Sequence, residues 1–119
     1  MWKGIRINSD HVAMVGHSAG GFSTVPAMAA DARVRAGVNL DGNFRYPNDT
    51  PLDRPFLIAG NPGRVPGGAD PTWDDTCGEL TGWRRWLTVD DTEHLPFTDL
   101  APPAKRLGVR YPEVRFRQR

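Results

Sequence analysis

The pentapeptide Gly16-His17-Ser18-Ala19-Gly20 follows directly on the apolar run Val12-Ala13-Met14-Val15 and opens into a stretch rich in small residues, Gly20 to Ala30. No other feature constrains the fold as much. Gly-x-Ser-x-Gly between a strand and a helix makes a turn so sharp that the serine is thrown out at the top of a sheet. A Cβ at either flanking glycine, Gly16 or Gly20, is expected to collide with the neighbouring strand or helix. Ser18 is therefore the candidate nucleophile. The backbone N–H of Ala19, the next residue, is the candidate donor to an oxyanion.

The rest of the chain repeats the same alternation. Gly20 to Ala30 reads as a helix packed through Ala27, Met28 and Ala30 and interrupted at Pro26, which lacks the N–H that a helix interior needs. Ala36 to Leu40 reads as a buried parallel strand ending at Asp41-Gly42, and Phe56 to Ala59 as another, closed by Gly60-Asn61-Pro62-Gly63. The Gly and Pro density from Asn61 to Pro71 marks a mobile loop. Pro71 to Gly82 reads as a helix carrying Trp73 and Leu80, Trp86 to Val89 as the last strand, and Pro96 as the start of a closing helix. The expected fold class is α/β, a parallel sheet of about four strands flanked by helices. One partial domain is expected over residues 1–109, followed by a basic, poorly ordered tail over 110–119.

Composition narrows the partners. With 119 residues, a net charge of +1 and 39% hydrophobic residues, the chain has neither the basic footprint of a nucleic-acid binder nor a membrane-spanning segment. Met1 to Asn8 lacks the apolar run of a secretory signal, so the default location is cytoplasmic. Cys77 is the only cysteine and can form no internal disulfide. No metal or other cofactor is implied, and the expected partner is a small ester substrate. Trp73, Trp83 and Trp86 are expected to serve core and rim packing rather than a lipid surface.

A serine hydroxyl needs a base to take its proton and a carboxylate to orient that base. Of the 3 histidines, His11 precedes the nucleophile strand and His17 sits inside the turn, where neighbouring side chains diverge. His94, after the last strand, is the candidate base. Many α/β-hydrolases carry the acid a few residues after the strand that corresponds to Phe56–Ala59, but Gly60 to Val65 holds no carboxylate. Asp41, at the end of the preceding strand, is the better candidate, with Asp70, Asp74 and Asp75 as runners-up. The order Ser18, Asp41, His94 is the nucleophile, acid, base order of that fold.

Three blocks, Val15-Gly16-His17-Ser18-Ala19-Gly20-Gly21, Gly37-Val38-Asn39-Leu40-Asp41-Gly42 and His94-Leu95-Pro96-Phe97-Thr98-Asp99-Leu100, together resemble the platelet-activating-factor acetylhydrolase family. The family's His-x-x-Phe-x-Asp pattern is met by His94, Phe97 and Asp99, and its early acid by Asp41. The resemblance runs from His11 to Leu100 and covers the C-terminal half of that fold. It implies a calcium-independent serine esterase acting on short or oxidised acyl chains of phospholipids, with Ser18 as nucleophile, Asp41 as orienting acid and His94 as base. Phe97 is expected to pack the closing helix, Asp99 to hold the histidine loop, and His17 to pack or line the acyl pocket.

The strands that normally precede the nucleophile strand, and the loop that supplies the second oxyanion donor, have no counterpart in this sequence. The nucleophile strand is then expected to have one open edge, inviting self-association. Two alternatives follow: a weak or inactive fragment that needs a partner, and a polyester- or triglyceride-cleaving relative. The missing carboxylate after Ile58-Ala59 argues against the second.

Overall fold

The computed structural model describes residues 4–44, 51–90, 97 and 115–118. The element order is β1 (Val12–His17), α1 (Ala19–Phe22), α2 (Thr24–Ala30), β2 (Val34–Leu40), β3 (Phe56–Gly60), α3 (Pro71–Glu79), β4 (Arg84–Asp90) and β5 (Arg115–Gln118). These form one sheet in the order β1-β2-β3-β4-β5. The first four strands run parallel, as the alternation of strands and helices predicts.

Register decides which face of the sheet is covered. Asn39 pairs with Ile58 and Ile58 with Trp86, so these three, with Phe56 and Thr88 two residues away along β3 and β4, point to one face. That face is buried under α2 and α3 in a core of Val25, Met28, Phe44, Leu52, Phe56, Ile58, Trp73, Leu80 and Trp86. Aromatic rings tie it together: Trp73 lies 5.4 Å from Trp86 and 6.0 Å from Phe44 between centroids. Val15, Val38 and Leu57 share the opposite face, and Val15 is 63% exposed. Trp83 is also exposed, so of the three expected packing tryptophans only Trp73 and Trp86 enter the core.

The helix after the elbow breaks where Pro26 requires. Pro26 has no N–H to offer the carbonyl four residues back, that of Phe22, and its ring crowds that carbonyl. Accordingly α1 ends at Phe22 and α2 starts at Thr24, with Pro26 in its first turn, where an absent N–H costs little. The buried residues of α2 are Thr24, Val25 and Met28, while Ala30 is exposed, contrary to the packing role expected of it. Arg54 closes the far end, donating to the carbonyl oxygens of Met28, Asp31 (3.1 Å) and Val34 (2.6 Å).

Arg115–Gln118, within the segment expected as a tail, pairs antiparallel with β4, Val89 in register with Phe116. The outer edge of β4 presents backbone donors and acceptors that need partners, and this segment supplies them. The segment after β3 is far from a loose loop. Arg64 N–H donates to Asn61 O (2.9 Å), Gly68 N–H to Val65 O (2.9 Å), and Trp86 Nε1–H and Thr88 Oγ1–H both donate to Arg64 O. On the other side of the sheet, β1 pairs with β2 and with no other described strand.

Candidate active site

Ser18 sits at φ 57°, ψ −119°, a conformation costly for a residue with a side chain. The surroundings impose it. Ser18 N–H donates to Leu40 O (3.0 Å), tying the turn to β2, and Phe22 N–H donates to Ser18 O (3.0 Å), starting α1. The glycines divide the steric work unevenly. A Cβ on Gly16 would lie 2.1 Å from the carbonyl carbon and oxygen of Gly20, so the predicted collision is real there. At Gly20 a Cβ would meet nothing within 4 Å. The collision expected at Gly20 belongs instead to Gly21, whose Cβ would come 2.1 Å from Asn39 Oδ1.

Asp41 stands one residue beyond the end of β2, as Ser18 stands one beyond β1. The register pairs His17 with Leu40, so the two residues leave adjacent strand ends on the same edge of the sheet. Adjacent strands lie about 4.8 Å apart. Asp41 is 1% exposed and also left-handed, at φ 55°. Its turn is built by Asn39, fully buried, whose side-chain amide donates to Gly42 O (2.9 Å) while its oxygen accepts from Gly42 N–H (2.8 Å). Asp41 N–H donates to Ala59 O (2.7 Å), and the carboxylate accepts from Asn61 N–H (3.0 Å) and Asn61 Nδ2 (3.1 Å). Arg64 Nε lies 3.5 Å from Asp41 Oδ1.

Ser18 and Asp41 open into one cleft of about 530 Å³, shared with Ala19, Phe22, Asn43, Asn61 and Arg64. The runner-up acids have other employment. Asp70 caps α3 by accepting from Thr72 N–H (3.1 Å) and pairs with Arg64. Asp74 accepts from Gly67 N–H (3.1 Å), and Asp75 is exposed. None of the three lines the cleft. Burial pushes the Cys77 thiol up, so it is no rival nucleophile. Among the described residues no group of three His, Cys, Asp or Glu is arranged to hold a metal ion, and no helix is long and apolar enough to cross a membrane.

His94 and Asp99 lie outside the described residues. Phe97 is described, and its ring stacks on His17 at 6.4 Å and 23°, which ties the chain beyond β4 back to the elbow. Sequence reasoning missed Asn39, Asn43, Asn61 and Arg64. The signal for Asn39 was present in Asn39-Leu40-Asp41-Gly42, a polar residue two before a candidate acid and three before a glycine. Asn61 is an amide where the fold's pattern calls for a carboxylate, so chain pattern alone does not mark it.

A strand–serine–helix elbow on a parallel sheet flanked by helices is the arrangement of an esterase-type α/β fold. Among solved structures the chain is similar to a ferulic acid esterase from Streptomyces cinnamoneus, with 36% identity over 92% of this chain and a TM-score of 0.76. The chain spans about a third of the length of that protein, 32%. No protein-family model matches the chain, and no curated protein matches it. The likeness is to an esterase fold in general and does not extend to the narrower platelet-activating-factor acetylhydrolase resemblance.

Proposed function

We propose that this chain carries the nucleophile, acid and base of a serine carboxylesterase that cleaves short acyl esters through an acyl-enzyme. The observation that supports this most is the pairing, in one cleft, of a strained, outward-turned serine with a buried carboxylate on the adjacent strand end. Buried carboxylates are rare unless they are held for a purpose, and among the described residues Asn61 and Arg64 hold Asp41.

In this reading His94 takes the Ser18 proton as Ser18 Oγ attacks the acyl carbon. Asp41 orients the imidazole and stabilises its charged form, and Ala19 N–H donates to the oxyanion. The intermediate collapses by expelling the alcohol, which takes the proton from His94. Water, deprotonated by His94, then releases the acid and restores Ser18. Gly16 and Gly21 hold the turn, Gly20 only follows it, and His17 with Phe97 closes its flank. No cofactor enters the scheme.

The test is hydrolysis of p-nitrophenyl acetate by the purified chain, with Ser18→Ala and His94→Ala as controls. The reading requires turnover and fluorophosphonate labelling in the parent and the loss of both in Ser18→Ala. A folded parent with neither would overturn it. Two substrate classes compete. The sequence blocks favour short-acyl phospholipids; the solved structure favours hydroxycinnamoyl esters such as methyl ferulate. The ratio of kcat/KM on these two esters decides between them. Polyester cleavage gains no support from either source.

A further inference from the structure

Arg64 lies where three polar side chains meet, two of which, Asp41 and Asn43, line the cleft. Its Nε faces Asp41, and its two terminal nitrogens donate to Asp70 and Asn43. The residue is fixed at every level. Its carbonyl accepts from Trp86 (3.0 Å) and Thr88 (2.9 Å), its N–H binds Asn61 O, and its guanidinium lies 5.2 Å over the Trp73 ring. Gly60 keeps the path open, since a Cβ there would come 2.5 Å from Arg64 Cγ and 2.7 Å from Trp73.

The sharing of this one cation matters. Asp70 takes a direct hydrogen bond, whereas Asp41 stands at 3.5 Å, so the guanidinium steers the Asp41 carboxylate without capturing it. A carboxylate that must orient a histidine needs a fixed plane and a charge not fully neutralised by another cation. Asn61 contacts both oxygens of Asp41, and Arg64 N–H in turn binds Asn61 O, so one short segment holds the acid through two side chains.

We infer that Arg64 is a positioning residue for the esterase reaction, setting the orientation of Asp41 through the shared fork of its guanidinium. This rests on the esterase reading above. It assigns the wall of the cleft after β3 a part in turnover rather than in substrate affinity.

The experiment compares parent, Arg64→Ala, Arg64→Lys and Ser18→Ala on p-nitrophenyl acetate, with circular dichroism as the folding control. Misplacing a reacting constellation by an ångström costs about 10²-fold, so Arg64→Ala is expected to lose about 10- to 100-fold in kcat. KM should stay within about twofold, because the loss lies in the transition state. Low millimolar guanidinium ion should restore part of the kcat of Arg64→Ala. Arg64→Lys should fall between parent and alanine, since an ammonium reaches one acceptor where the fork reaches three. Unchanged kcat in Arg64→Ala, a change confined to KM, or a kcat loss that guanidinium does not relieve would each overturn the inference. If Arg64→Ala does not fold, Arg64→Lys decides: parent-like kcat overturns it, and reduced kcat at constant KM supports it. An inactive parent, or an active Ser18→Ala, would instead sink the esterase reading itself.

Discussion

The two glycines of the elbow should respond to alanine in opposite directions. At Gly16 an added Cβ lies 2.1 Å from the Gly20 carbonyl group and 2.5 Å from Gly21 N, all backbone atoms. Ordinary carbon contacts need about 3.5 Å, so α1 must shift by more than an ångström or the β1 end must open. Overpacking of this kind costs about 1 to 3 kcal/mol, and the upper end applies because no flexible side chain can yield. Against a total stability of about 5 to 15 kcal/mol this is a large fraction. The same shift moves Ser18 and Ala19, which begin α1, so catalysis should fall by about 10²-fold even in the folded fraction. At Gly20 the Cβ meets open space within a helical turn, and the change should stabilise by up to about 1 kcal/mol through the unfolded state. Urea unfolding followed by tryptophan fluorescence reads both, with Trp73 and Trp86 in the core as reporters. A Gly20→Ala variant destabilised as much as Gly16→Ala would refute the reasoning, because it would place a contact where the structure has none.

Further outcomes follow from the other parts of the site and sheet. Asn39→Ala should cost about 1 to 3 kcal/mol by leaving the Gly42 N–H unpaired in a buried turn, Gly42 O keeping its bond from Trp73 Nε1–H, and should lower kcat along with it; a neutral variant in urea unfolding would count against the turn as described. The Arg33 guanidinium beside exposed Asp31 holds its carboxyl down to about 2 from 3.8. A lowered folded value means that Asp31 contributes its stability above the ordinary carboxylate range and loses it as pH falls towards 2. The gap in urea midpoint between parent and Asp31→Asn should therefore narrow with acid and with salt, and a gap that widens in acid would contradict this. We also propose that the edge of β1 that pairs with no described strand, with Val12 and Val15 exposed, promotes self-association, which Val15→Lys should reduce in size-exclusion chromatography. A parent that elutes as a monomer at all concentrations would dismiss that proposal.

The local parts of this protein are written in its sequence. A Gly-x-Ser-x-Gly turn after an apolar strand has few ways to fold, because the sterics of Gly16 act over four residues of backbone. The break at Pro26 is legible for the same reason: a missing N–H has its effect within one helical turn. The strand ends and the place of Asp41 just past β2 also follow from short-range patterning.

Tertiary structure decided what depended on register. Arg64 and Asn61, in a loop dense in Gly and Pro, look like solvated surface residues until β2 and β3 pair and bring Asp41 beside them. The strand at Arg115–Gln118 exists because β4 offers it an edge. Even the glycine motif was finished at long range, since the collision assigned to Gly20 falls on Gly21 through Asn39, a residue of the next strand. Backbone sterics act between neighbours along the chain and are readable there; the hydrogen bonds and ion pairs that hold an acid in place act between neighbours in space, and only the fold says which those are.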